Sequence, residues 1–158
     1  MMRAAALAVM AGGAATLLGA LALPVHAAAD GAAIYAKCAA CHTRTGAGVP
    51  GVFPPLGEDF RAKAASDAGR RYLALVVTRG ISGPIKVGGK PYAGVMPAQA
   101  TLDDASVAAV LNHVGTEIAK TGPAFKPFAE AEIAAHRASG TSLSAQDVGK
   151  LHAAAGGQ

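Results

Sequence analysis

The chain is 158 residues long, 52% hydrophobic and 15% charged, with 20 Gly, 9 Pro, no Trp and only 4% aromatic residues. That length bounds it to one modest folding unit, and so few large rings leave a core that needs something else to fill it. The net charge of +4 is spread along the chain without a basic run or interleaved aromatics, so nucleic acid is not an expected partner.

Residues 1–27 read as an export signal. Arg3 precedes an uncharged, Ala-rich apolar run that ends near Leu23, Pro24 breaks the run, and Val25-His26-Ala27 offers the small residues a signal peptidase accepts. Cleavage is expected after Ala27, which makes the protein periplasmic. The stretch from Ala4 to Leu23 is long enough to span a bilayer, so membrane association is expected only through an uncleaved leader or through a complex.

From Asp30 to about Ala40 the residues predict a first helix, with Ala33 and Ile34 on its apolar side and Gly31 small enough for another helix to approach closely. It carries Cys38-Ala39-Ala40-Cys41-His42, the Cys-x-x-Cys-His attachment sequence for haem. Thiols at this spacing lie about one helical turn apart and reach both vinyl groups of one porphyrin, and the imidazole of the next residue falls beneath the iron. One covalent haem c also supplies the large apolar body that the composition lacks. Three other uses of the cysteines are weaker. A thioredoxin-like redox pair follows a strand, whereas Ala32 to Ala36 reads as helix. Zinc would need a further ligand from a distant His. A disulfide would close a very small loop and constrain the unfolded chain little.

Residues 43–57 form a Gly- and Pro-rich loop expected to wrap the proximal face of the haem. Within it the Pro54 carbonyl is expected to accept the Nδ1 proton of His42 and so aim Nε2 at the iron. Gly69 to Arg79 predicts a short helix closed by Gly80. Ile85 to Lys90 alternates around Gly88-Gly89, which predicts a minor hairpin presenting the next loop. That loop, Pro91 to Pro97, holds Met96, the one methionine outside residues 1–27. Its Gly and Pro neighbours disfavour a helix, so Met96 is expected as the distal ligand and not as core filler. His113, His136 and His152 are competing axial candidates. His113 falls in an amphipathic run with Val107, Val110, Leu111 and Val114, and the other two fall in tail segments that read as solvated.

Thr101-Leu102-Asp103-Asp104 predicts a helix start with Thr101 as N-cap, extending to Ile118 and crossing the first helix. Beyond Gly122-Pro123 two weak helical segments, about Phe128 to Ala138 and Ser144 to Ala154, form an extension over 122–158. Its Phe125, Phe128 and Ile133 are placed to clasp either the haem domain, 28–121, or a partner. The expected fold class is all-α: a small helical domain wrapped around one covalent haem, with a minor hairpin.

Taken together, Gly31-x-x-Ile34-Tyr35-x-x-Cys38-x-x-Cys41-His42, Phe53-Pro54-Pro55-Leu56-Gly57, Gly83-Pro84-Ile85-Lys86-Val87 and Tyr92-x-Gly94-Val95-Met96-Pro97 resemble a class I c-type cytochrome. The resemblance runs from about Asp30 to Ile118 and is closest to the small dehydrogenase-associated type. It implies thioether bonds at Cys38 and Cys41, His42 as proximal and Met96 as distal ligand, and packing of the first haem-domain helix across the last. His113 departs from the pattern, since many relatives carry Tyr or Phe at that crossing. The expected function is a one-electron carrier that accepts electrons from a dehydrogenase and passes them toward a terminal oxidase or another cytochrome. Lys37, Arg44, Lys86 and Lys90 either steer an acidic partner or are ordinary solvated charge. Two rival readings stand beside it: a haem enzyme or gas- or peroxide-reactive sensor with labile Met96 ligation, and a haem-free zinc module.

Overall fold

Asp30 opens helix α1 (Gly31–His42) by accepting hydrogen bonds at Oδ1 from the amides of Ala32 and Ala33, at 2.9 and 3.2 Å. Two of the donors that every helix N-terminus leaves unpaired are thereby satisfied. The computed structural model describes residues 29–156; the expected leader and its cleavage point after Ala27 lie outside the described residues. Helix α1 continues past the predicted end near Ala40, through Cys41 and His42, and stops where Thr43 turns to a φ of 62°.

Helix α4 (Asp104–His113) lies across α1. A Cβ at position 31 would stand 2.2 Å from the Ala109 carbonyl oxygen, so the crossing requires the glycine that the sequence places there. His113 packs its ring against Tyr35 with centroids 5.3 Å apart, which resolves how the departing residue is accommodated. The N-cap is Asp103, whose Oδ1 accepts from the Ser106 amide at 2.8 Å, and not Thr101 as predicted. Leu102 donates its amide to the Gln99 carbonyl at 3.1 Å, and this separate turn keeps Thr101 out of the helix start. At its end α4 widens into a π-helical turn, Val114–Ile118, closed by the Ala119 amide on the Val114 carbonyl at 2.7 Å.

Helix α2 (Glu58–Ala64) has no counterpart among the predicted elements. Helix α3 (Asp67–Arg79) begins two residues before the predicted Gly69, because Ser66 Oγ caps the Gly69 amide at 3.1 Å, and ends at Gly80 as predicted. The predicted hairpin is formed by β2 (Ile85–Val87) and β3 (Lys90–Tyr92). Because the hairpin reverses the chain, β4 (Val95–Met96) runs back antiparallel along β1 (Ile81–Ser82). Met96 is therefore paired with Ile81 in a short ladder and does not lie in a free loop.

Helices α5 (Glu130–Ser139) and α6 (Ala145–Ala154) fold back onto the body, α6 starting from a Ser144–Asp147 capping box. Ile133 and Val148 are as fully buried as Leu75 and Val107 and belong to the same apolar core, together with Phe128. Of the two roles predicted for Phe125, Phe128 and Ile133, they clasp the body of the molecule. Arginines complete the attachment. Buried Arg70 grips the Glu132 carboxylate through Nε and Nη2, at 2.5 and 2.8 Å, and donates to the Lys126 and Pro127 carbonyls. Arg61 donates to the carbonyls of Gly115, Ala119 and Pro123, and Arg79 to that of Leu143. A planar guanidinium suits this work because its five donors are fixed in a fork. Among the described residues the fold is mostly helical with two small strand pairs, which is the all-α class expected.

Candidate haem-binding site

A cavity of about 500 Å³ opens between the end of α1, the loop that follows it, α2, α3 and the strand pairs. Cys38, Cys41, His42, Pro54 and Met96 all line it, so the fold brings the site residues expected from the sequence to one place. Most of the remaining wall is apolar, including Leu73, Val76, Val77, Ile81 and Ile85.

His42 is buried at the last turn of α1, and its Nδ1 lies 3.0 Å from the Pro54 carbonyl oxygen. A carbonyl oxygen only accepts, so Nδ1 carries the proton and Nε2 keeps its lone pair. Burial lowers the imidazole pKa below its ordinary 6.5, outweighing the Pro54 hydrogen bond, and so favours the neutral, ligating form. The loop that supplies Pro54 is held by further hydrogen bonds. Tyr35 donates its hydroxyl to the Thr43 carbonyl at 2.8 Å, the Gly48 amide donates to the His42 carbonyl at 3.0 Å, and Val49 pairs with Phe53.

Cys38 and Cys41 are half-buried and are not joined to each other. Burial pushes the Cys38 thiol up from its ordinary value, and the neighbouring Cys41 adds to the shift. Met96 is half-buried on β4. Of the competing histidines, His113 packs on Tyr35 away from the cavity, and half-buried His136 stands 3.5 Å from Glu132.

His152 corrects the sequence reading. It is not solvated but 4% exposed, because α6 returns to pack on α3 and turns this side chain into the cavity wall. Its ring meets Tyr72 edge-on, with centroids 5.4 Å apart, and its Nε2 stands 3.8 Å from Asp59 Oδ2. Asp59 in turn accepts from the Lys63 ammonium at 2.6 Å, and Lys63 is only 1% exposed. Burial alone would raise the Asp59 carboxyl, but His152 and Lys63 beside it hold it below its ordinary 3.8. Burial, and then the Asp59 charge, push the Tyr72 phenol far above its ordinary value of 10.0. Asp59, Lys63 and Tyr72 were not among the residues expected at the site, and His152 was expected there only as a competing axial candidate. The one local signal is the four-residue spacing of Asp59 and Lys63, which puts an acid and a base on one helix face.

The donor set suits an iron porphyrin. Two thiols can take a covalent tether, His42 presents an available Nε2, Met96 a thioether, and the apolar wall accepts a flat hydrocarbon body. Among the described residues no cluster of three or more His, Cys, Asp or Glu is placed to hold a bare metal ion. The sequence matches the cytochrome c family over residues 28–117. The chain belongs to the cytochrome c family. This cytochrome c is 49% identical over 124 residues to a cytochrome c-552 of Thermus thermophilus, covering 77% of this chain and 82% of that protein. It is 48% identical over 112 residues to another Thermus thermophilus cytochrome c-552, covering 70% and 86%. As a cytochrome c the protein carries covalently bound haem c and functions in electron transfer.

Proposed function

We propose that this cytochrome c is a periplasmic one-electron carrier whose iron is held between His42 Nε2 and Met96 Sδ, with Cys38 and Cys41 as the thioether anchors. The observation that carries this reading is the convergence of all four side chains on one cavity, with His42 Nδ1 already tied at 3.0 Å to Pro54. Bound haem c supplies a one-electron change between ferric and ferrous iron. His42 contributes the neutral imidazole and Pro54 fixes its tautomer and orientation. Met96 contributes a thioether, which together with burial raises the reduction potential relative to two imidazoles. With His42 and Met96 both holding the iron, no open iron site would be left for a substrate, which would separate a carrier from a peroxide- or gas-reactive haem protein.

On this reading residues 1–27 are a leader removed after Ala27, 28–121 the haem domain and 122–158 its extension. The partners are redox proteins, a dehydrogenase as donor and an oxidase or another cytochrome as acceptor. Exposed Lys37, Arg44, Lys86 and Lys90 steer an acidic partner toward the cavity mouth. Met96→Ala tests the ligation. The variant is expected to keep its haem, to lose the iron-to-thioether charge-transfer band, to bind added imidazole, and to show a lowered potential. Spectra unchanged from the parent protein would refute Met96 as ligand.

A further inference from the structure

We propose that α6 braces the strand pair that carries Met96, with Gly149 as the positioning residue at the contact, so that docking of α6 and thioether ligation of the iron are coupled. The inference deepens the carrier reading and rests on Met96 being the distal ligand. A ladder of two residues on each of two strands does not hold itself together in water and needs a helix packed on it. Strands β1 and β4 are such a pair, with Ile81 opposite Met96 and Ser82 opposite Val95. Val95 on the outer strand is 68% exposed, so a brace has to reach the pair through β1.

Helix α6 is the helix that packs there, against both β1 and β2. Gly149 lies in its middle, where glycine weakens a helix relative to alanine and therefore calls for a reason. The reason is on the strand: a Cβ at 149 would lie 2.5 Å from the Ser82 carbonyl oxygen and 3.7 Å from Ile81 Cγ1. The nearer of these atoms is main chain and cannot rotate away, so any side chain at 149 pushes α6 and β1 apart. A second tie holds the same two elements where they begin. Arg79, the last residue of α3 before Gly80 and β1, donates from Nε and Nη2 to the Leu143 carbonyl, just ahead of α6, at 3.0 and 2.7 Å. Helix α6 lies beyond residues 28–117, the span that matches the family, so the brace is support that the extension adds to the distal wall. Undocking of α6 leaves β1 without its helix and lets Met96 leave the iron, and Met96 held at the iron keeps β1 in place to receive α6. The two equilibria thus share one coupling free energy.

The test titrates imidazole, which competes with Met96 for the iron, into the holoprotein of the parent, Gly149→Ala and Ile133→Val, and follows unfolding by circular dichroism. Ile133 is a core residue of α5, which packs on α3 and α4, so Ile133→Val lowers global stability without touching the brace. In an unbraced helix Gly149→Ala would stabilise the protein and leave the iron alone. With the brace, Gly149→Ala is expected to keep its covalent haem yet bind imidazole about fivefold more tightly or more. Its iron-to-thioether charge-transfer band should also vanish at lower denaturant than in the parent. Ile133→Val is expected to unfold earlier but to keep the parent's imidazole affinity. Should Gly149→Ala fail to accumulate, Arg79→Met, which frees the Leu143 carbonyl, replaces it with the same expectation. Parental imidazole affinity in Gly149→Ala, or in its replacement, overturns the brace. An equal rise in Ile133→Val overturns it too, because loss of stability anywhere would then suffice. The band of the parent reports the ligation separately: a parent without it takes Met96 off the iron and the carrier reading with it, whereas a parent with the band and variants of unmoved affinity remove the brace alone.

Discussion

His42 stands at the end of a 12-residue helix with Nδ1 tied to Pro54 and its main-chain carbonyl taken by Gly48, whereas Met96 stands in a two-residue strand beside Val95, which is 68% exposed. One wall of the cavity is thus set by a helix and a hydrogen-bonded loop, the other by a two-residue ladder whose outer strand carries an exposed Val95. Local opening follows such differences, since segments with sparse burial and few backbone bonds separate from the fold before the core does. The thioether side is accordingly the side that yields first under stress, while the imidazole side stays with the thiol anchors.

The harshest way to break this comparison is at its stronger side. His42→Ala should abolish accumulation of stable holoprotein in a host equipped for haem attachment, read as loss of Soret absorbance in the exported fraction. Normal pigment levels would remove His42 from its role. Next comes the weaker wall. Gly80 has a φ of 74°, and a Cβ there would lie 2.5 Å from the Met96 carbonyl oxygen, so Gly80→Ala must displace β4. A destabilisation of about 1–3 kcal/mol is expected. The charge-transfer band should vanish at lower denaturant than in the parent, ahead of global unfolding by circular dichroism.

Tyr35→Phe sharpens the contrast more gently by removing the hydrogen bond to the Thr43 carbonyl. It should cost about 1 kcal/mol in a denaturant titration, with band loss and global unfolding moving together. The smallest effect lies in the tail. Hydrogen bonds from Arg70 hold the Glu132 carboxyl below its ordinary 4.5, so its contribution is complete above that pH and is lost as pH falls through the lower folded value. Limited proteolysis of the tail should rise in that acid window, and Glu132→Gln should abolish the rise while the Met96 band at neutral pH stays as it was.

The candidate site was legible because its residues are local in sequence. Cys38, Cys41 and His42 fall within about one helical turn, Met96 stands out once residues 1–27 are set aside, and the fold brings all four to one cavity. Gly88-Gly89 likewise announces its hairpin. Helix α2 was not legible, since seven residues with Phe60 and Ala64 as the apolar pair are too few to display a helical period. Lys63 reads as surface in any sequence, because burial of a lysine depends on the partners that tertiary structure brings to it. His152 shows the same limit: α6 alone is a polar, weakly periodic segment, and only its return onto α3 puts the imidazole beside the cavity.

The arginine attachments have a consequence for how this chain tolerates sequence change. Arg61, Arg70, Arg71 and Arg79 donate to the main-chain oxygens of Pro123, Lys126, Pro127, Ser139 and Leu143. Every amino acid offers the same carbonyl, so these latches register the path of the backbone and are indifferent to the side chain it bears at each point. Substitutions at the exposed positions of the latched segment can gather over evolutionary time without loosening it, while exchange of Arg70 undoes two latches and the grip on Glu132 at a stroke.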